Sequence, residues 1–236
     1  MFSFEFLIQI IPPLLRGLLV TVEATFGGFA LALIVGLILA LGRRSKMIPL
    51  RLLCDGYIAF VRCTPLLVQL YFVFYVLPSF GIRFPALATG ILCLGLHIGA
   101  YIAEVYRAGI EGVGRGQWEA ALAIGLKPLP LWLKVILPQA VPPMIPPLGN
   151  YLIGLFKETP LLAAITVVDL FGAANNVAGL TYRYNEPYTA VTVILLSISL
   201  MAAYFVRKLE RRFSTRGLKL PQSLIDGPLN LGSEQG

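Results

Sequence analysis

Long runs of apolar residues, separated by short polar stretches, make up most of the chain from about residue 17 to residue 206. A helix needs roughly 20 predominantly apolar residues to cross the hydrocarbon core of a bilayer. Residues 167–184 are moderately apolar but fall short of a clean span. We therefore predict an all-α integral membrane protein whose five membrane-spanning helices lie at 17–41, 55–77, 86–105, about 141–164 and 188–206.

The amino-acid composition supports a membrane protein and argues against several other classes. Hydrophobic residues make up 57% of the 236 residues, charged residues make up only 13%, and the mean hydropathy is +0.80. A soluble domain has roughly 45–50% apolar and about 25% charged residues. The chain is therefore a poor fit to a soluble enzyme, a disordered chain or a disulfide-stabilised secreted domain.

The distribution of basic residues predicts the orientation in the membrane. The chain has 19 Lys and Arg residues against 12 Asp and Glu residues, which gives a formal net charge of +7. An outside N-terminus leaves only Arg16, Arg83 and Arg183 in outer segments, and cytoplasmic loops are typically the ones rich in Lys and Arg. The bases on the cytoplasmic side are then Arg43, Arg44, Lys46, Arg51, Arg107, Arg115, Lys127, Lys134, Arg207, Lys208, Arg211, Arg212, Arg216 and Lys219. We predict an N-out, C-in protein, and no nucleic-acid partner is needed to explain the positive charge.

This topology divides the chain into three segments. They are a periplasmic N-terminal segment at 1–16, a transmembrane domain at 17–213 and a flexible cytoplasmic tail at 214–236. Residues 107–138 form a polar cytoplasmic loop inside the transmembrane domain, between the third and fourth spans.

The loop at 107–138 has its own helical pattern. It predicts a short helix at 117–124, a stop at Gly125 and a second helix from Pro128, because glycine commonly ends helices and proline is tolerated in a first turn. By itself this pattern is consistent with an amphipathic helix pair that rests on the membrane surface.

The same loop resembles the EAA loop of ABC importer permeases. Glu119-Ala120-Ala121, Gly125 and Leu137-Pro138 have the spacing of that motif, with Val135 where these permeases usually have isoleucine. Further stretches resemble the polar amino-acid permeases, which are the histidine, glutamine and arginine importers. These stretches are 57–70, 100–107, Gly116-Gln117, 137–140 and 157–161, with Cys63 in place of a common glycine and Pro160 in place of a frequent serine. The resemblance covers about residues 13–213.

The resemblance implies a type I ABC importer permease fold in the bacterial cytoplasmic (inner) membrane. It implies that a cytoplasmic ABC ATPase dimer binds ATP and Mg, that this chain is not an enzyme, and that it binds no cofactor. The other implied partners are a second permease copy or a related permease, and a periplasmic or lipid-anchored solute-binding protein. The residues expected to couple the permease to the ATPase are Gln117, Glu119, Ala120, Ala121, Gly125 and Pro138.

The implied solute is a polar amino acid or a similar zwitterion, and an ectoine-like compatible solute is an alternative. The chain lacks the GxxxxGK[ST] phosphate loop, which agrees with ATP binding on a separate subunit. The competing functions are a stand-alone channel or ion-coupled carrier and a membrane-embedded enzyme. An ATPase-docking loop argues against the former, and no GxSxG or HExxH signature in the sequence supports the latter.

Polar residues inside the predicted spans are candidates for the solute site, because such residues are costly in lipid and are often functional. Prolines 142, 143, 146 and 147 are expected to interrupt the fourth span, and broken helices in transporters line solute cavities. Two carboxylates suit a cationic group of a solute. The candidate solute-binding residues are Asn150, Glu158, Thr159, Asp169 and Arg62.

Structural interpretations compete with the solute site, and for Arg62 a structural and a functional alternative stand side by side. Lys157 and Glu158 would then neutralise one another in a kinked helix. Arg62 would either bond to carbonyls freed by the nearby Pro65 or line the inner vestibule. Glu104 is expected to form an i,i+3 ion pair with Arg107.

Overall fold

The computed structural model describes residues 2–214 and the side chains of residues 2–210, and this part of the chain is built from helices and short connections. The α-helices in chain order are α1 (Phe4–Arg43), α2 (Ile48–Cys63), α3 (Leu66–Tyr71), α4 (Ala86–Glu111), α5 (Arg115–Ala123), α6 (Pro128–Leu131), α7 (Leu137–Glu158), α8 (Leu170–Thr181) and α9 (Asn185–Ser214). Four short segments of other helical type extend them: Phe72–Val76, Leu77–Phe80, Trp132–Ile136 and Thr159–Ile165. The predicted tail is residues 214–236, and of these, residues 215–236 lie outside the described part of the chain.

Three described helices are long and apolar enough to cross a membrane: Phe4–Arg43, Ala86–Glu111 and Asn185–Glu210. The number rises to five if each of two bent helix pairs counts as one span. The first pair bends by 106° between Cys63 and Leu66, and the second bends by 48° between Ile165 and Leu170. The five-span topology and its orientation stay predictions.

Helix α1 begins earlier than the sequence predicts. It starts at Phe4, with Ser3 as its N-cap, and runs through Pro12 and Pro13, so residues 4–16 continue the helix of the first span. Ile10 and Leu14, on either side of the proline pair, are buried against α8 and α9. This packing keeps the segment helical although each proline removes a backbone donor.

Helices α1 and α4 form the centre of the bundle, and their glycines allow close contact. A Cβ added to Gly36 would lie 2.7 Å from Cγ2 of Ile102, and one added to Gly99 would lie 2.8 Å from Cγ1 of Val35. A Cβ at Gly95 would lie 2.6 Å from Cδ2 of Leu31. Side chains of each helix therefore occupy the space that a glycine leaves on the other, as small residues commonly allow in membrane bundles.

The Gln69 side chain bonds across the sharp bend after α2. Pro65 follows Thr64, and Gln69 Nε2 donates to the carbonyl oxygens of Val61 and Thr64, both at 3.2 Å, and to Thr64 Oγ1 at 2.7 Å. The same amide lies against α4, because Gln69 Oε1 is 3.1 Å from His97 Nδ1. The buried His97 is thus a satisfied packing residue of α4.

Helix α7 corrects the prediction that its prolines break the fourth span. The helix is continuous from Leu137 to Glu158 through all four prolines. The break comes after Glu158, where the 3-10 segment Thr159–Ile165 ends at Thr166 in a left-handed conformation, with φ of 67°. Proline fixes φ near the helical value, so a run of prolines can stay in a helix that tertiary packing holds in place.

Helix α8 is attached to α1 at its first residue. Asp169 is fully buried and is the N-cap of α8, and its Oδ1 accepts a hydrogen bond from Gly172 N at 2.8 Å. Leu170 N donates to Thr21 Oγ1 of α1 at 3.0 Å. The backbone groups exposed by the second bend are therefore bonded within the bundle, as bilayer depth requires.

We expect Gly36→Val to lower the thermal stability of the purified protein in detergent. The added side chain would displace Ile102, and overpacking a close interface costs about 1–3 kcal/mol. Gly56→Val is the matched control, because a Cβ at Gly56 meets no atom within 4 Å. A Gly36→Val melting temperature equal to that of the control would show that α1 and α4 are less closely packed than described.

Candidate functional site

The loop at 107–138, hereafter the EAA loop, is a helix-turn-helix. Helix α5 ends at Ala123, and Gly125 follows with φ of 74°, a left-handed conformation that glycine adopts without strain. Helix α6 begins at Pro128. Proline is tolerated there because a backbone N–H in the first turn would have no partner within the helix. The predicted short helix, glycine stop and second helix are confirmed.

The two alanines of the EAA motif have different surroundings. Ala121 is buried in a cluster formed by the loop and α7, whereas Glu119 and Ala120 are exposed. Ala121 therefore packs the loop onto its own chain and is not available to a partner. Large apolar side chains remain exposed on the loop, at 57% or more of their surface: Leu122, Ile124, Leu129 and Leu133.

Gln117 and Pro138, the other predicted coupling residues, lie where the loop meets α7. Gln139, the residue after Pro138, donates from Nε2 to Gln117 Oε1 at 3.2 Å and to the carbonyl oxygen of Val135 at 2.8 Å. These bonds connect the start of α5 to the start of α7. The coupling role of all six residues stays a prediction.

A cavity of about 900 Å³ lies beside the EAA loop, between α4 and α7. One wall is formed by α4 and the first loop residues, from Tyr101 to Gly114, and Glu210 of α9 closes one edge. The facing wall is formed by Gln139, Pro142, Pro143, Pro146, Pro147 and Tyr151. The prolines that the sequence singled out therefore line a cavity, although they do not break the helix.

Glu104 is the centre of an ion-pair cluster at the rim of this cavity. Its Oε2 lies 2.7 Å from Nε of Arg107, so the predicted i,i+3 pair is confirmed. Its Oε1 lies 2.6 Å from Nη1 of Arg43 and 3.7 Å from Nη1 of Arg62. Arg43 also reaches Asp55 Oδ1 at 2.5 Å. One carboxylate thus joins the ends of α1, α2 and α4.

Arg62 lies at the cavity rim and does not bond to the carbonyls freed by Pro65. Gln69 fills that role, so this alternative for Arg62 is wrong. The guanidinium of Arg62 lies 5.4 Å from the ring centroid of Tyr101, and the Tyr101 ring is 5.9 Å from that of Tyr151. Both tyrosines line the cavity, so Arg62 borders its aromatic end.

The other predicted solute residues lie apart from this cavity. Asn150 is exposed on α7, and Thr159 is buried, with its hydroxyl donating to the carbonyl oxygen of Phe156 at 3.1 Å. Glu158 is partly buried, and its Oε2 has no hydrogen-bond partner among the described residues. Lys157 is exposed. It forms no ion pair with Glu158, and both residues lie in the described part of the chain, so they do not neutralise one another as predicted.

Asp169 lies in a different environment from the other four candidates. Its carboxylate is enclosed by α1 and α8, and it does not line the cavity. Its N-cap position was readable in the sequence, because Asp directly before an apolar helical stretch is a helix-start signal. A direct contact with solute would require a conformation in which α8 moves away from α1.

Tyr101, Tyr151 and Gln69 are site residues that the sequence analysis did not single out. Tyr101 and Gln69 fall within stretches that resemble other permeases, yet nothing in their local pattern separates a cavity residue from a packing one. The role of the two tyrosines depends on contact between α4 and α7. The role of Gln69 depends on contacts of α3 with α2 and α4.

Comparison with known proteins identifies the family. Residues 32–215 match the family model described as binding-protein-dependent transport system inner membrane component. The probable amino-acid ABC transporter permease protein y4tG of Sinorhizobium fredii is 42% identical over 219 residues, with 91% of this chain and 93% of that protein covered. The L-cystine transport system permease protein TcyB of Bacillus subtilis is 37% identical, with 85% and 88% covered.

Solved structures agree with this assignment. An amino acid ABC transporter with histidines is 35% identical, has a TM-score of 0.85, and is matched over 90% of this chain and 99% of that chain. The MetNI methionine ABC transporter, at 20% identity and a TM-score of 0.68, shares the fold. This chain belongs to the family of binding-protein-dependent transport system inner membrane components and is a permease subunit of an ABC importer in the cytoplasmic membrane.

Proposed function

We propose that this permease moves a polar amino acid or a similar zwitterion into the cytoplasm by alternating access, driven by a separate ABC ATPase dimer that binds ATP and Mg. The cavity beside the EAA loop is the observation that carries this proposal. It holds about 900 Å³, enough for an amino acid with its water, and its wall continues into the first residues of the loop. Movement of the loop therefore changes the shape of the cavity.

The exposed surface of the EAA loop supports docking to the ATPase. Leu122, Ile124 and Leu129 are exposed around the turn of the loop, and the charged Lys127 is exposed beside them. Exposed apolar side chains with a polar surround are typical of protein interfaces. The family resemblance supports an ATPase contact at this loop, and the exposed Glu119 and Ala120 are accessible to it.

Polar side chains on the outer face of α7 support a second permease copy, or a related permease, beside this one. Asn150 and Lys157 are seven residues apart, so they share one face of the helix, and both are exposed. Gly154 lies between them, and a Cβ there would meet no atom within 4 Å. A face with an amide and an ammonium suits a water-filled path between two subunits better than lipid.

Glu158 is the residue we assign to the cationic group of the solute. It ends α7 beside the bend, and its Oε2 lacks a donor among the described residues. A buried carboxylate oxygen without a partner is costly, and a solute ammonium would satisfy it. We retain Asn150, Thr159 and Arg62 as residues of the solute path. Asp169 belongs to the path only in a conformation in which α8 has moved away from α1.

The proposed function is tested by reconstituting the permease with its ATPase and binding protein in proteoliposomes. We expect labelled amino acid to accumulate only when ATP is present on the ATPase side. The melting temperature of the binding protein, measured with each amino acid, identifies the solute to use. Uptake by the permease alone, without ATP, would instead favour the channel or ion-coupled carrier.

We expect Gly125→Asp to leave the amount of protein in the membrane unchanged but to uncouple ATP hydrolysis from solute uptake. A side chain at φ of 74° strains the turn, and the added charge lies in the proposed docking face. Gly125→Asn is the milder variant, because asparagine tolerates the left-handed conformation and adds no charge. Normal transport by Gly125→Asp would argue against the coupling role of this turn.

We expect Glu158→Gln to lower uptake at least about tenfold, the effect of losing one charge-assisted hydrogen bond of roughly 1.5–3 kcal/mol. Glu5→Gln is the matched control, because Glu5 is exposed at the start of α1 and forms no ion pair within the described residues. Initial uptake rates, normalised to the amount of protein in the membrane, measure the effect. Equal rates for the two variants would remove Glu158 from the solute path.

A further inference from the structure

Two adjacent arginines at the end of α1 contact two different parts of the molecule. The side chain of Arg43 bonds to Glu104 and Asp55 in the ion-pair cluster at the cavity rim. The guanidinium carbon of Arg44 lies 5.5 Å from the ring centroid of Trp132 in the EAA loop. That distance is within the range of a cation–π contact.

Trp132 is itself packed against the helix that carries the EAA motif. Its ring is 5.3 Å from that of Trp118 in an edge-to-face arrangement, with an interplanar angle of 85°. Both rings pack against the buried cluster that includes Ala121. Arg44 therefore contacts a part of the loop that is packed against α5 and the buried cluster.

Arg43 contacts a residue of the cavity wall. Glu104 holds Arg43 at 2.6 Å and also lies 3.7 Å from Arg62, the residue that borders Tyr101. Glu104 and Tyr101 line the cavity. A displacement of Arg43 therefore alters the electrostatic partners of a group in the cavity wall.

We propose that Arg43 and Arg44 form a mechanical link between the EAA loop and the cavity rim, in addition to the direct joining of the loop to α4 and α7. The two residues share a peptide bond, so a shift of the loop that carries Trp132 moves both arginines and the end of α1. Arg43 and Arg44 are positioning residues in this link. The inference rests on the proposed function, in which ATPase closure moves the EAA loop.

The link is tested with the full importer complex in proteoliposomes. The measured quantity is the amount of solute imported per ATP hydrolysed. We expect Arg44→Ala, Trp132→Ala and Arg43→Gln each to lower this ratio by about two- to tenfold, the range expected when one contact in a coupling network is lost. Trp132→Phe, which keeps an aromatic face for Arg44, should restore most of the ratio.

A double-mutant cycle separates a shared contact from two independent effects. If Arg44 and Trp132 act through one contact, the double alanine variant should be no worse than the more impaired of the two single variants. Arg51→Ala is the matched control, because Arg51 is exposed in the nearby helix α2 and has neither an ion pair nor a ring contact within the described residues. Its ratio should equal that of the wild type.

Two results would overturn the link. One is a wild-type ratio in either Arg44→Ala or Arg43→Gln, and the other is a double variant whose loss is the product of the two single losses. Failure of the proposed function gives a different result, because the wild-type complex itself would then show no ATP-dependent uptake.

Discussion

Every backbone amide and carbonyl at bilayer depth needs a hydrogen-bond partner, and this requirement governs the two bends on which the permease depends. At the first bend, Gln69 supplies the donor for Val61 and Thr64. At the second, Asp169 and Thr21 supply acceptors for the first amides of α8. At both bends, polar side chains therefore replace part of the hydrogen bonding that a regular helix would supply.

The proline-rich wall of the cavity follows from the same requirement. Each proline removes a backbone donor, so the carbonyl four residues earlier has no partner within the helix. Prolines 142, 143, 146 and 147 lie on the wall of the cavity. The charged residues that line the same cavity are Glu104, Arg107 and Glu210.

The features that the sequence predicts are those with a local physical cause. The turn at Gly125, the start of α6 at Pro128 and the Glu104–Arg107 pair each depend on residues within one or two helical turns. The contacts of Glu104 with Arg43 and Arg62, and of Gln69 with His97, join residues 28 to 61 positions apart, and no local pattern encodes them. The continuity of α7 escaped prediction for the same reason, since packing from the rest of the bundle overrides the local cost of proline.

The reciprocal glycine contacts of α1 and α4 restrict how this permease changes shape. Helices that interlock at Gly36, Gly95 and Gly99 cannot slide or rotate against one another without steric clash. In this conformation the stretches 31–36 of α1 and 95–102 of α4 are therefore fixed against one another. A change of shape that keeps these stretches together requires bending elsewhere in the chain, and the described helices already bend between Cys63 and Leu66 and between Ile165 and Leu170.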